Sequence, residues 1–376
     1  MDFSALDRYL EHLITDCKLP YLDLAIDQDG KRIYRRGVGH TDAEGKKPVR
    51  GDELTWIFSA SKVITCIAAV RLIGEGKLSI SDPVSKYLPA FAHLNVQSRD
   101  GSIHPAENVM TIEHLFSMTG GLEYNLNTPA IRAGREQGLG TLALVSEMAK
   151  DPLRFEPGTD YRYSLCHDVL AAVIEVITGM KFSDYLQTVF FDPLGLKNIG
   201  FHPTEEQLSR FAALFEYHAG TQTCKSVPLN NQFMLTSDYD SGGAGLFSTV
   251  DDYMAIISAV ACGGVAPNGY RVIDEKCIPL MQENHLPPRA LDHFVSTRNY
   301  GYGWGLCGRV HINPAMSWSL SPKGEFGWDG AASAFSMIDP QNRISLYLAT
   351  HVFAGPYLYQ TVHPEIRNMV YRILAK

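Results

Sequence analysis

The sequence predicts an α+β fold of the α/β-sandwich type, in which helices flank one antiparallel sheet and a mostly helical region is inserted between its strands. Three observations predict this fold. β-Rich runs occur in pairs near both chain ends, apolar residues recur at helical spacing through the middle of the chain, and the C-terminal stretch follows a helical pattern. We expect a sheet domain of residues 1–80 and 236–376, a mostly helical domain of residues 81–235, and a functional site between them.

Two predicted hairpins supply strands from the two chain ends. Near the N-terminus, Tyr21–Ile26 and Arg32–Val38 lie on either side of an Asp-Gly dipeptide at 29–30, which suits a turn with positive φ angles. Near the C-terminus, Ala334–Ile338 and Ile344–Thr350 flank a turn that contains Asp, Pro and Asn. Because both ends contribute paired strands, we expect them to meet in one sheet.

Four helices are predicted from apolar residues that recur every three to four positions. The corresponding segments are Ser61–Gly74, Asp168–Thr178, Asp251–Ala261 and His363–Lys376. Glycine residues mark the ends of the first two segments, as expected at helix C-termini. The first segment is almost entirely apolar and should be buried, whereas the last one is amphipathic.

Composition and charge restrict the class of ligand. The chain has 376 residues, of which 45% are hydrophobic and 20% are charged, so it can bury a substantial core. Its 33 Lys and Arg residues against 41 Asp and Glu residues give a net charge of −8, which provides no basic field for DNA, RNA or an anionic membrane. We therefore expect a small-molecule ligand and neither a nucleic-acid nor a membrane partner. No sequence feature specifies an oligomeric state.

The sequence has no pattern typical of export, metal binding or dinucleotide binding. Acidic residues occupy the first turns, where a secretory signal has a basic segment, and no apolar run approaches the ~20 residues of a membrane span. We therefore predict a cytoplasmic protein. The seven cysteines form no C-x-x-C pair and the thirteen histidines form no H-E-x-x-H motif, so we expect no metal and no cofactor. Gly303, Gly305 and Gly308 match G-x-G-x-x-G, but no βαβ pattern surrounds them, and we interpret them as a strand at the rim of the site.

The most informative pair is Ser59 and Lys62, which form an S-x-x-K motif at the start of the apolar helix. This spacing places the hydroxyl and the ammonium group on one helix face, one turn apart. A serine hydroxyl becomes a nucleophile when a neighbouring base accepts its proton, and backbone N–H groups at a helix start can stabilise an oxyanion. The same motif also arises by chance, and an N-cap serine followed by a solvated lysine is the structural alternative.

Further segments extend this motif along most of the chain, in a fixed order. They are Phe58–Pro89, Thr111–Leu122, Pro157–Ser164, Gly242–Tyr253 and Gly327–Ala332. Together they resemble the serine β-lactamase and penicillin-binding-protein superfamily, specifically its class C-like branch. The resemblance implies a β-lactamase/transpeptidase-like fold. It also implies that Ser59 is the nucleophile that forms an acyl-enzyme, that Lys62 and Tyr163 transfer protons, and that the backbone N–H groups of Ser59 and Ala331 form the oxyanion hole.

Two departures from the β-lactamase pattern point to a different substrate. Leu165 stands where that branch has asparagine, and Trp328-Asp329-Gly330 stands where it has Lys-Thr-Gly, so the amide and the cation that contact a lactam substrate are absent. Both replacements are similar to the family VIII carboxylesterases. The resemblance therefore implies hydrolysis of carboxylic esters, with these four residues near the substrate. We also expect the carboxylate of Asp329 to disfavour anionic substrates.

Some residues and functions remain open from the sequence. Tyr124, Trp304, Trp328 and Tyr357 are candidates for an aromatic pocket wall, and each is equally compatible with the core. An acyltransferase would use the same acyl-enzyme with an alcohol or amine as acceptor. A D-aminopeptidase or weak β-lactamase is less compatible with the two departures. The non-enzymatic alternative is an acyl-binding sensor without turnover.

Overall fold

The computed structural model describes residues 1–218 and 220–375. In chain order the strands are β1 (Tyr21–Gln28), β2 (Lys31–Gly39), β3 (Thr55–Trp56), β4 (Asn95–Gln97), β5 (Ile103–Pro105), β6 (Ile199–Gly200), β7 (Leu214–His218), β8 (Thr223–Val227), β9 (Phe247–Ser248), β10 (Tyr302–Gly305), β11 (Gly308–His311), β12 (Phe326–Gly327), β13 (Phe335–Asp339), β14 (Ile344–Ala349) and β15 (Val352–Phe353). The α-helices are α1 (Ser4–Thr15), α2 (Ser61–Gly74), α3 (Ile112–Phe116), α4 (Pro129–Glu136), α5 (Thr141–Met148), α6 (Cys166–Thr178), α7 (Phe182–Leu186), α8 (Asp192–Leu194), α9 (Glu205–Leu208), α10 (Val250–Ala261), α11 (Ile278–Met281), α12 (Pro288–Ser296) and α13 (His363–Leu374).

The main sheet is antiparallel and contains strands from both chain ends, as the sequence predicts. Its seven strands lie in the order β10-β11-β12-β13-β14-β1-β2. The two ends meet where β1 pairs with β14, in a register that runs from Asp23 opposite Ala349 to Gln28 opposite Ile344. β1 is buried along nearly its whole length because it lies between neighbours and under helices.

Both predicted hairpins are confirmed. The turn between β1 and β2 has φ angles of 51° at Asp29 and 71° at Gly30, which is the left-handed conformation that an Asp-Gly turn favours. β13 and β14 form the second hairpin, within one residue of the predicted bounds. The glycines at 303, 305 and 308 lie in a hairpin of β10 and β11, with Gly305 opposite Gly308, and not in a βαβ unit. The dinucleotide pattern is therefore a coincidence of strand glycines.

Helices cover both faces of the main sheet. On one face, α1 and α13 bury apolar side chains such as Leu6, Leu10, Ile366 and Val370 against the strands. On the other face, α10 packs against β14 and β1, and the ring of Tyr253 stacks on that of Tyr347 with 4.1 Å between ring centroids. The prediction of helices flanking an antiparallel sheet is therefore confirmed.

A mostly helical region separates the two sets of sheet strands. α3 to α8 occupy residues 112–194, and α6 packs against α2, α3 and α5. α2 and α6 are buried on almost all sides, which explains their continuous apolar sequences. Within residues 1–218 and 220–375, none of the helices has the length and apolar character needed to cross a bilayer. The boundaries of the two domains stay a prediction.

Candidate active site

Ser59 lies where the chain enters α2, at the floor of a cavity of about 790 Å³. A short 3₁₀ turn, Phe58–Ala60, precedes the helix, and the Ser59 residue is only 7% exposed. Phe58 has a φ angle of 45°, an unfavourable backbone conformation for a bulky residue. Such strain is typical of positions where the surrounding structure fixes a functional side chain. Here it fixes the residue directly before the serine.

Lys62 is buried beneath Ser59 and points at its hydroxyl. Its Nζ donates to the carbonyl oxygen of Gly243 at 2.7 Å and to Ser59 Oγ at 3.3 Å. The ammonium group also lies 4.7 Å from the ring centroid of Tyr163 and 5.5 Å from that of Tyr124. The residue is 1% exposed, so these contacts replace water around the amine. The structural alternative of a solvated lysine is thereby excluded.

Tyr163 lies beside both Ser59 and Lys62. Its phenol oxygen accepts a hydrogen bond of 2.9 Å from Trp328 Nε1. Burial raises the pKa of the Tyr163 phenol well above its ordinary value, although hydrogen bonding to Ser59 and Trp328 opposes the shift. Burial likewise raises the pKa of Tyr124 to about 12. Both phenols are therefore protonated at neutral pH and can act as proton donors.

The loop of the third motif provides a free backbone donor. An added Cβ at Gly330 would lie 2.2 Å from the carbonyl oxygen of Ile57, so only glycine lets this loop approach the chain that leads into Ser59. Tyr359 Oη donates to the carbonyl oxygens of Gly330 and Ala331, both at 2.9 Å, and holds the loop in place. The N–H group of Ala331 has no acceptor among the described residues. It is therefore available to an oxyanion in the cavity.

Asp168 is part of the site and was missed from the sequence. It is 1% exposed in the first turn of α6, and its Oδ1 accepts from Tyr239 at 2.9 Å and from Ser241 at 2.6 Å. An added Cβ at Gly243 would lie 2.5 Å from Asp168 Oδ2 and 3.3 Å from Lys62 Nζ, which places the carboxylate and the ammonium group around the same glycine. Asp168 thus supplies the negative charge that faces Lys62. The signal in the sequence was an acidic residue in the first turn of a helix that is mostly apolar.

We expect Asp168→Asn to reduce activity while it increases stability. Burial raises the pKa of the Asp168 carboxyl in the folded protein. Above this raised pKa the carboxyl is ionised, and its ionisation lowers the free energy of unfolding. The loss disappears as the pH falls towards the pKa of aspartate in the unfolded chain. Asparagine retains an acceptor for Tyr239 and Ser241 but removes the charge that faces Lys62. The variant should therefore unfold at a higher temperature than the wild type at about pH 8, with the difference shrinking towards about pH 4. Turnover should fall about tenfold or more. Thermal unfolding across this pH range and parallel assays measure both effects, and a lower melting temperature at the higher pH would contradict the argument.

Asp329 does not present an isolated negative charge to the cavity. It forms an ion pair with Arg309 at 2.7 Å and receives a second contact from His363 Nδ1 at 2.9 Å. Burial opposes ionisation, but the Arg309 guanidinium and His363 hold the pKa of Asp329 below its ordinary value. The premise of an uncompensated carboxylate does not hold, because the charge of Asp329 is compensated by Arg309. The expected effect on anionic substrates stays a prediction.

Two wall candidates, Trp304 and Tyr357, and the predicted substrate residue Leu165 do not line the cavity. Leu165 is 4% exposed and caps the start of α6, where its N–H bonds to the carbonyl of Glu123. Trp304 is fully buried, donates from Nε1 to the carbonyl oxygen of Phe116 at 2.8 Å, and supports the wall by packing on Trp328 with 4.4 Å between centroids. Tyr357 stacks on Tyr217 and packs against the apolar cluster of α1 and α13. Of the predicted residues, those that line the cavity are Ser59, Tyr124, Tyr163, Trp328, Asp329, Gly330 and Ala331.

A sequence profile described as Beta-lactamase matches residues 6–362, which is nearly the whole chain. The chain belongs to the β-lactamase family. Within this family, it is 28% identical over 374 residues to Esterase EstB of Burkholderia gladioli, a match that covers 93% of this chain and 90% of the esterase. The resemblance stated from the motifs and the β-lactamase/transpeptidase-like fold are confirmed.

Solved structures with a similar fold agree with this assignment. EstCE1, a hydrolase with promiscuous acyltransferase activity, superposes with a TM-score of 0.80 at 26% identity, over 98% of both chains. A family VIII carboxylesterase superposes with a TM-score of 0.71 at 17% identity, over 100% of this chain and 97% of that one, which shows a shared fold. This member of the β-lactamase family is a serine hydrolase.

Proposed function

We propose that this protein hydrolyses carboxylic esters through an acyl-enzyme on Ser59. The observation that carries the proposal is the position of Ser59 Oγ in the cavity, 3.3 Å from Lys62 Nζ, with the protonated phenol of Tyr163 beside it and a free N–H at Ala331. A nucleophile, a proton acceptor, a proton donor and an oxyanion donor are the groups that acyl transfer needs. The relationship to Esterase EstB supports esters as the substrate class.

The proton transfers follow from the positions of these groups. In the reactive form of the enzyme Lys62 has released its ammonium proton to water, and the resulting amine accepts the Ser59 proton as Oγ attacks the ester carbonyl. The N–H groups of Ser59 and Ala331 stabilise the oxyanion. The phenol of Tyr163 then donates its proton to the departing alkoxide and recovers one from Lys62. In the second half-reaction, water transfers its proton to the same pair and attacks the acyl carbon. Ser59 leaves with a proton, so the enzyme is restored.

Intact-protein mass spectrometry with a p-nitrophenyl ester of a short carboxylic acid tests the proposal. We expect continuous release of p-nitrophenol and a transient mass increase equal to the acyl group. A fluorophosphonate should add once per chain, and peptide mapping should locate the label on Ser59. Absence of both label and p-nitrophenol would refute ester hydrolysis, whereas one equivalent of acyl adduct that never turns over would support the sensor alternative.

Acyl transfer is the second candidate function, because the related EstCE1 is a hydrolase with promiscuous acyltransferase activity. Analysis of the products with and without an added alcohol separates the two reactions. Hydrolysis releases the free acid in both cases. If the alcohol ester becomes the main product and total turnover rises with alcohol concentration, transfer is the dominant reaction.

A further inference from the structure

The part of the cavity beyond the third motif contains a buried cation without a partner. Arg367 of α13 lines the cavity, yet its residue is only 6% exposed. Among residues 1–218 and 220–375, its guanidinium forms neither an ion pair within 4.0 Å nor a hydrogen bond, and its Nε is fully buried without an acceptor. The guanidinium does lie over the ring of Tyr302, 5.3 Å from Cζ to the centroid. A buried guanidinium without an acceptor is energetically costly, so an anionic ligand would relieve the cost.

The end of the cavity next to α13 is lined by more arginines than carboxylates. Arg309 and Arg367 line it, as does Arg298, whereas the lining carboxylate Asp329 is held by Arg309 and by His363. Glu325 is fully buried and does not line the cavity. Its Oε2 accepts from Tyr302 at 3.2 Å and from Ser321 at 3.1 Å, its Oε1 has no hydrogen-bond partner among the described residues, and it forms no ion pair with Arg367 within 4.0 Å. The surface that a ligand meets here therefore has an excess of arginine side chains.

We propose that this cavity binds the carboxylate of an anionic ester through Arg367, an inference that rests on the proposed ester hydrolysis. Arg367 lies one helix turn after His363 in α13. His363 contacts Asp329, and Asp329 lies two residues before the oxyanion donor Ala331 in the chain. Residues four apart on a helix face are about 6 Å apart, so the anionic group lies several ångströms from the scissile carbonyl. The cavity lining also includes the rings of Trp328 and Phe335, and the Phe335 ring stacks on that of His363 with 4.7 Å between centroids. The substrate class is therefore an ester whose carboxylate is separated from the ester carbonyl by a hydrocarbon spacer.

Matched pairs of anionic and neutral esters test this inference. In the first pair, the mono-p-nitrophenyl ester of adipic acid is compared with its isostere in which an isopropyl group replaces the carboxylate. In the second pair, p-acetoxybenzoate is compared with p-acetoxybenzamide, which places the charge on the alcohol part. We expect kcat/KM for the anionic member of one pair to exceed that of its neutral partner by about tenfold or more, since a charge-assisted contact is gained.

Two variants of α13 locate the source of this preference. Arg367→Gln should lower the anionic-to-neutral ratio of kcat/KM about tenfold or more, and Arg367→Lys should retain part of it. Arg372→Gln is the matched control, because Arg372 is on the same helix, 53% exposed at its side chain and paired with Glu365. The control should keep the wild-type ratio. An unchanged ratio in Arg367→Gln would overturn the assignment of the carboxylate to this arginine.

A measurement on the wild type alone keeps the inference testable if a variant fails to fold. Free adipate should inhibit hydrolysis of a neutral ester at concentrations at which neutral adipamide does not. Equal inhibition by the two compounds, or neutral esters preferred in both pairs, would exclude an anion subsite while ester hydrolysis itself stands. If the wild type cleaves neither neutral nor anionic esters, the proposed function fails and not only the subsite.

Discussion

Replacing Ser59 by alanine is expected to reduce kcat/KM for a p-nitrophenyl ester by a factor on the order of 10³ or more. The change removes the only atom that can form the acyl bond in the proposed mechanism, while Lys62, Tyr163 and the oxyanion donors stay in place. Some catalysis should remain, because those groups can still assist attack by water. Steady-state assays and the fluorophosphonate label measure the effect: the label should be absent, and activity should fall to the residual rate.

Ser61 provides the matched control for this variant. Its side chain is fully buried, and its Oγ accepts from the N–H of Leu246 at 3.1 Å, so it ties α2 to the loop before α10. We expect Ser61→Ala to lower the free energy of unfolding by about 1 kcal/mol while the serine label on residue 59 persists. If Ser59→Ala retained wild-type turnover, or if the label moved to Ser61, the assignment of the nucleophile would be wrong.

Lys62→Met is expected to lower kcat by a factor of about 10² to 10⁴, because the variant lacks the group that accepts the Ser59 proton. Methionine has a similar length and retains the apolar contacts with the rings of Tyr124 and Tyr163. Pre-steady-state release of p-nitrophenol measures the acylation step directly. The burst should become slow, because the attack by the serine limits the rate.

Two further proteins separate a catalytic from a structural effect of Lys62. Lys62→Met leaves Asp168 without the cation that faces it, so the double variant with Asp168→Asn should recover stability but not activity. Lys77→Met is the control for loss of a lysine, since the Lys77 side chain is 58% exposed and pairs with Glu75. It should have wild-type activity. Recovery of turnover in the double variant would show that Lys62 does not accept the proton.

Features that depend on local spacing could be predicted from the sequence. The Asp-Gly turn, the β-rich strands at both ends and the apolar helix α2 follow from residues close together in the chain, and all are present in the structure. The S-x-x-K motif is another feature of local spacing, because a separation of three residues in a helix places Ser59 and Lys62 on one face. Cytoplasmic localisation and the domain boundaries stay predictions.

The pairing of charges at the site could not be predicted from the sequence, because it depends on how distant segments pack. Gly243 brings the charge of Asp168 to Lys62, and Arg309 compensates Asp329, although neither pair is close in the chain. Periodicity cannot encode such contacts, because each depends on how separate elements pack rather than on the spacing within one. Arg367 could not be identified from the sequence for the same reason. In the sequence it is one polar residue of an amphipathic helix, whereas in the structure it is buried beside the cavity. Burial removes water from the Arg367 guanidinium without supplying an ion-pair partner, and burial depends on the whole fold.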